Sequence, residues 1–172
     1  MLVVVDVQPG FLDPEADAAV ERMAWLVAVA RLLRIPVVVT EEEPERNGPT
    51  DGRLGAGTQA LRKPTFGLGG TPEILAAVRA TGRSTAVLIG CETDVCVAQS
   101  AIGLQDEGFT CVVVEDATYS PGEMHERGLR RLVGAGVGRN HAKGVTYEWL
   151  RTVDDARAVL GDPALPPPPF RT

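Results

Sequence analysis

The 172-residue sequence predicts an α/β chain, a three-layer αβα sandwich around a mainly parallel central sheet. Three observations carry that reading. Short Val, Ile and Leu runs recur along the chain, each stopping at a polar residue or a glycine, and unbroken rather than alternating runs are what strands covered on both faces require. Amphipathic segments long enough to be crossover helices separate the runs, giving the order β-α-β-α-β-α-β-α. The length, a hydrophobic content of 44% and a mean hydropathy of +0.02 suit one globular domain with a single large core.

The first strand is expected at residues 2–5, LVVV, ending at Asp6, and a helix at 16–33 follows it. A second strand at 37–39 ends at Thr40. Residues 41–62 are polar and rich in Gly and Pro, and read as a long loop of the kind that shapes a site. The GLGG segment at 67–70 precedes a helix but lacks the dinucleotide fingerprint and does not directly follow a strand, so it reads as a flexible turn. A helix at 72–81, a strand at 86–89 ending at Gly90, a helix at 93–107, a strand at 112–114 ending at Glu115 and a helix at 125–135 come next. GAGVG at 134–138 follows a helix and reads as its C-cap and the turn into a shorter last strand near 136–142. A helix at about 153–160 completes the domain, assigned to residues 1–162. The remaining 163–172 form a proline-rich tail, expected to be disordered or, as the alternative, an extended arm on a neighbour.

The formal net charge of -6 and a pI near 5.0 argue against a grip on nucleic acid or an anionic membrane, since both depend on clustered Lys and Arg. The expected partners are a small-molecule substrate and other copies of the chain. MLVVVDVQ has neither the basic segment nor the cleavage site of a signal peptide. The longest apolar helical stretch, 24–33, is interrupted by Arg31 and is too short for a membrane span. Cys91, Cys96 and Cys111 make an odd number with no secretory context, which favours reduced thiols and a cytoplasmic location.

Ligands of an open parallel sheet bind outside the carboxyl ends of its strands. Asp6 ends the first strand, Lys63 sits in the loop after the second, and GCETDVCV at 90–97 joins the third strand to a helix. With Thr93 as N-cap and Asp94 behind it, Cys96 falls in the first helical turn, where the helix dipole and a nearby Lys both favour a nucleophilic thiolate. The alternative is a small buried hydrophobe, the commoner fate of a free cysteine. Asp6 at the end of a central strand needs a cation. Lys63, in LRKPTFG, is the candidate, against the alternatives of a solvated loop lysine or a purely structural ion pair.

The blocks DVQPGF, KPTFG and GCETDVCV closely resemble the three signature blocks of the isochorismatase-like cysteine hydrolases, which include nicotinamidases and carbamoyl-amide hydrolases. TEEEPERNGPT and EDATYSPGEMHERGLRRL look like the corresponding blocks of the same family, so the resemblance covers most of the chain. It implies a Rossmann-like central sheet and a catalytic triad of Asp6, Lys63 and Cys96. It further implies a cis peptide between Cys91 and Glu92, and an oxyanion hole from the amides of Glu92 and Cys96. The reaction implied is cleavage of a small amide, carbamoyl or related C–N bond through an acyl-enzyme on Cys96. Phe11 and Phe66 are candidate pocket walls, with core packing as the alternative, and Tyr119 is a candidate to reach the site from beyond the fourth strand.

Nicotinamidases of the family carry an Asp-x-His pair and a later histidine as metal ligands after the second strand. Here that segment reads Thr40, Glu41, Glu42, Glu43, and the only histidines, His125 and His141, lie far downstream. No metal and no cofactor is therefore expected. The glutamate run reads as a solvated face in preference to a hard-cation site. His125 opens a predicted helix and reads as a capping or surface histidine in preference to a base. Isochorismatases proper replace the nucleophilic cysteine, so Cys96 argues against vinyl-ether cleavage. The alternatives to an amidase are a hydrolase of the same fold acting on another bond and a catalytically silent binding or assembly protein. Relatives form dimers, tetramers or larger rings, which implies a homo-oligomer.

Overall fold

The computed structural model describes residues 1–55 and 59–171. Strand β1 (Leu2–Val5) lies inside a sheet flanked on one side by β2 (Val37–Glu41) and then β3 (Ala60–Arg62). On its other side come β4 (Thr85–Cys91), β5 (Thr110–Tyr119) and β6 (Gly138–Asn140). All pairings are parallel. The helices are α1 (Asp17–Leu32), the short α2 (Pro44–Asn47), α3 (Pro72–Ala80), α4 (Ala98–Asp106), α5 (Met124–Gly134), α6 (Ala142–Leu150) and α7 (Val153–Leu160).

The unbroken LVVV run is explained by its two faces. Leu2 and Val4 join a core built with α1 and α6, while Val3 and Val5 join a second core built with α3, α4 and α5. The chain is therefore the three-layer αβα sandwich expected. Val5 stands opposite Thr40 on one neighbour and Gly90 on the other, so β1, β2 and β4 end together. Because β2 and β4 lie on opposite sides of β1, this shared end is the switch point of the sheet, the place where ligands of open parallel sheets bind. Gly90 is required there: its φ is +126°, and a Cβ on it would lie 2.0 Å from the Val5 carbonyl oxygen.

Four expectations need correction. The polar loop at 41–62 contains α2 and the edge strand β3, which has only three residues and no Val or Ile run; its residues 56–58 lie outside the described residues. Helix α6 was not anticipated, because Gly, Thr, Val and Tyr within it are weak helix formers; it is capped by the His141 side chain accepting from Gly144 N–H. The GLGG turn is packed rather than free, with Leu68 buried and Gly67 so close to Gln99 of α4 that a Cβ would meet its carbonyl oxygen at 3.1 Å. The proline-rich tail lies on the chain's own core: Phe170 meets Trp25 edge-on with centroids 5.8 Å apart, and Lys143 Nζ donates to the Arg171 carbonyl. GAGVG behaves as read, with α5 ending at Gly134, Gly136 at a φ of 77°, and β6 starting at Gly138. Among the described residues no helix is long and apolar enough to cross a membrane.

Candidate active site

Four strand ends supply the site residues. Asp6 follows β1 in the left-handed region, with a φ of 47°, which turns its carboxylate away from the strand direction. Glu42 follows β2, Lys63 follows the unanticipated β3, and the turn carrying Cys96 follows β4. Asp6 and Lys63 are wholly buried, with Asp6 Oδ2 lying 2.9 Å from Lys63 Nζ. Asp6 Oδ1 accepts from Thr40 Oγ1 at 2.8 Å, whereas Oδ2 has no aligned hydrogen-bond donor and contacts Lys63 as an ion pair. Lys63 Nζ is 3.6 Å from Cys96 Sγ and also donates to the carbonyl oxygens of Thr65 and Phe66. The ammonium, carboxylate and sulfur are thus brought together.

Burial works against the Lys63 charge, but Asp6, Cys96 and Glu42 outweigh it and hold the ammonium above the ordinary lysine value. Burial pushes the Asp6 carboxyl upward, against the pull of Lys63 and the Thr40 hydrogen bond. The Cys96 thiol is also pushed up by burial; Lys63 opposes this, and Asp6 and Glu42 reinforce it. Burial and the two carboxylates thus work against the thiolate expected at a helix start, with Cys96 only 2% exposed and one ammonium to favour it.

The turn itself differs from the helical start expected. Residues Thr93–Val97 form a π-helical turn closed by Val97 N–H donating to the Glu92 carbonyl at 2.9 Å, and the bond between Cys91 and Glu92 is cis. Thr93 does not cap it. Its Oγ1 is paired with His125 Nδ1 at 2.9 Å, so His125 at the start of α5 holds the turn in place and is neither a free surface group nor a base at the sulfur. Gly128 lets α5 come close enough to support the turn, since a Cβ there would lie 2.7 Å from the Asp94 backbone.

Glu42 is the residue the sequence reading missed. Read as part of a solvated acidic run, it instead points inward, with Oε2 accepting from the Cys96 thiol at 3.1 Å and lying 3.3 Å from Lys63 Nζ. Its neighbour Glu41 accepts from Thr50 N–H and Oγ1, while Glu43 pairs with Arg46 at the surface. A periodicity argument had no purchase on a triplet of identical side chains in a loop. Asp6, Glu42 and Cys96 place ligand atoms within 4.8 Å of one another, a trio suited to a metal ion. The Lys63 ammonium already stands among those atoms, so the residues do not fit a second cation there.

Of the other candidates, Phe11 ends a 3-10 turn and packs half-buried against the core on the α1 side. Phe66 gives its carbonyl to Lys63 while its side chain, 55% exposed, borders a cleft shared with Gln99 and Gly103. Tyr119 is buried on the α1 side, its hydroxyl donating to Asp13 Oδ2 at 2.6 Å, whereas Cys96 belongs to the core on the opposite face. Cys91 and Cys111 are buried free thiols, the latter pushed by burial to about 12.

Residues 1–140 match the isochorismatase domain. The chain belongs to the isochorismatase-like hydrolase family. Isochorismatase domain-containing protein 2 of Bos taurus is 33% identical over 154 residues, covering 87% of this chain and 74% of the bovine protein. The protein of that name from Rattus norvegicus is matched over only 63% of its own length. Among solved structures, YcaC from Escherichia coli, described as an octameric hydrolase of unknown specificity, superposes with a TM-score of 0.82 at 25% identity, covering 92% of this chain and 85% of that one. YcaC from Pseudomonas aeruginosa, solved with hexane-2,5-diol and covalent acrylamide, gives 0.79 at 26% identity, covering 93% and 86%. The isochorismatase fold thus accounts for nearly the whole chain.

Proposed function

We propose that this chain is a cysteine hydrolase that cleaves a small amide, carbamoyl or related C–N bond through a covalent acyl-enzyme on Cys96, with Asp6 and Lys63 as partners. The observation that carries the reading is the meeting of Cys96 Sγ, Lys63 Nζ and the unaligned Asp6 Oδ2 at the switch point of the sheet. Sγ attacks the carbonyl carbon and its proton passes to Asp6. Lys63 offsets the negative charge that this leaves on the sulfur and the substrate oxygen. The amides of Glu92 and Cys96 are the proposed donors to that oxygen. Asp6 then hands the proton to the departing nitrogen, and afterwards takes one from the water that releases the acyl group. A carboxyl raised by burial suits both duties, because it exchanges protons nearer neutral pH than an exposed one.

The covalent acrylamide of the Pseudomonas YcaC supports the view that this fold presents a group reactive toward a small neutral amide-bearing electrophile. The test is a panel of primary amides, carbamoyl compounds and acyl ureas assayed for ammonia release, alongside Cys96→Ala. We expect at least one substrate to turn over, the variant to lose at least about a thousandfold of that rate, and its fold to persist, since the change removes one buried sulfur. Undiminished turnover in Cys96→Ala would remove the nucleophile from the scheme. A cytoplasmic setting and assembly with further copies of the chain belong to the same proposal. The three buried free thiols and the octameric Escherichia coli YcaC support them.

A further inference from the structure

We infer that Glu42 is a specificity-determining residue, a fixed negative charge at the sulfur that admits substrates neutral or cationic beside the scissile bond and turns away carboxylates. The inference rests on the hydrolase reading and deepens it.

Glu42 is held, not merely nearby. Its backbone N–H donates to Gln8 Oε1 at 2.7 Å, and its carbonyl accepts from Gln8 Nε2 at 3.1 Å and Asn47 Nδ2 at 2.8 Å. Gln8 is wholly buried, and its Nε2 also donates to the Gly48 carbonyl at 2.6 Å, so the clamp is anchored on both sides. The carboxylate is thereby fixed at the mouth of the site instead of drifting in solvent.

The Glu42 oxygen facing the site, Oε2, is placed to accept from two donors, the Cys96 thiol at 3.1 Å and the Lys63 ammonium at 3.3 Å. One ammonium, that of Lys63, is thus shared between two acidic side chains, Asp6 at 2.9 Å and Glu42 at 3.3 Å. Glu92 adds a further acidic side chain. Its half-buried carboxyl is raised by burial, with Asp94 and Glu42 pushing in the same direction.

Of the three charged groups at the sulfur, Glu42 is the one on the solvent side: its side chain is 17% exposed, and those of Asp6 and Lys63 are not exposed at all. A molecule approaching Sγ meets this carboxylate first. A substrate carboxylate would bring a like charge into a partly desolvated place whose ammonium is already shared, whereas amide N–H groups or a cation would find an acceptor. Compounds such as unsubstituted amides, ureas and amine-bearing amides fit, and acyl groups carrying a carboxylate next to the reacting carbonyl do not.

The experiment compares iodoacetamide with iodoacetate, equal in reach and different in charge. Each is displaced at carbon by the Cys96 sulfur, with iodide leaving and the thiol proton passing to solvent. Rates of adduct formation at Cys96 are followed by peptide mass spectrometry and divided by the rates with free cysteine, which removes the intrinsic reactivity of each reagent. We expect the neutral reagent to be favoured at least about tenfold over the anionic one in the unaltered protein, and Glu42→Gln to cut that preference at least about fivefold. A preference no larger than that of free cysteine in the unaltered protein overturns the filter, whether or not the variant folds. A preference that Glu42→Gln leaves unmoved overturns it too. Absence of adduct at Cys96 with either reagent is a different failure: it overturns the nucleophile, and with it the reading on which the filter stands.

Discussion

Replacing Lys63 with Met keeps most of the side-chain volume and deletes the charge, which isolates what the ammonium does. Asp6 and Lys63 are both wholly buried with 2.9 Å between Oδ2 and Nζ, and Asp6 retains only the Thr40 hydroxyl as a donor once the ammonium is gone. Removing one member of a buried pair typically costs about 3–5 kcal/mol, because the other is left charged in a poor solvent. With a urea slope of about 2 kcal/mol per molar, the unfolding midpoint at pH 7 should fall by roughly 1.5–2.5 M. The pH dependence gives the sharper reading. Burial lifts the Asp6 carboxyl above its ordinary value of 3.8 even with Lys63 opposing, and removing Lys63 should lift it further. A carboxyl raised in the folded state binds its proton more tightly there than in the unfolded chain. Its contribution is therefore largest below the unfolded value and is lost as pH rises through the folded one. The deficit of Lys63→Met should accordingly shrink as pH falls from about 7 toward 4, and Asp6→Asn placed in the same chain should recover much of it at pH 7. A deficit that is absent, or is unchanged across that range, would refute the claim that Lys63 neutralises a buried Asp6.

Other expectations follow from the same geometry. Gly90→Ala puts a Cβ 2.0 Å from the Val5 carbonyl oxygen at a φ of +126°, and should leave the chain insoluble or lower its stability by more than about 3 kcal/mol by urea unfolding. Gly128→Ala drives α5 off the turn at Asp94 and should cost about 1–3 kcal/mol while lowering the rate of Cys96 alkylation; an unchanged alkylation rate would separate α5 from the nucleophile turn. In size-exclusion chromatography with light scattering the chain should run as an assembly of several copies, and a monomer at micromolar concentration would overturn that proposal. The absorbance difference between the protein and Cys96→Ala at about 240 nm, where thiolates absorb, should show no titration step below about pH 8. A step in that range would contradict the high thiol pKa that burial and the two carboxylates impose.

What the sequence made legible was whatever depends on long apolar runs and on chain order. LVVV at 2–5, VVV at 37–39 and VLI at 87–89 are too hydrophobic to be anything but covered strands, and their ends locate Asp6 and the Cys96 turn at the switch point without further information. Elements set by tertiary contact were not legible. The ALR segment of β3 pairs only because Val39 to Glu41 of β2 offers a free edge, and α6 forms because α1 and β5 bury its weak helix formers. At the site, the type of each triad residue could be read, but not the direction of Glu42, which is settled by Gln8 and Asn47 clamping its backbone. The surroundings of the sulfur were not legible for a related reason: the spacing of Cys96 from Thr93 says nothing of the burial or of the two carboxylates that work against the expected thiolate.

A neutral thiol, the form that burial and the two carboxylates favour, changes where the proposed catalysis would find its driving force. In a site holding two carboxylates and one ammonium, forming the thiolate before substrate arrives would add a second unbalanced negative charge to a buried cluster. The proton is better moved as the carbon–sulfur bond forms, because the charge then passes onto the substrate oxygen and toward the backbone donors proposed for it. That places the demand on Asp6 rather than on the helix dipole. Asp6 Oδ2 is suited to it by being held beside Lys63 with no aligned donor, while Oδ1 is anchored by Thr40 and cannot turn away. Glu42 sets the condition under which this coupling begins. While its oxygen accepts the thiol proton's hydrogen bond the sulfur is restrained, and a substrate bringing an N–H donor to Glu42 would release the sulfur in the same step that seats the carbonyl before it. An anionic substrate has no such exchange to offer, so in the proposed scheme rejection of carboxylates and restraint of the nucleophile would come from one side chain.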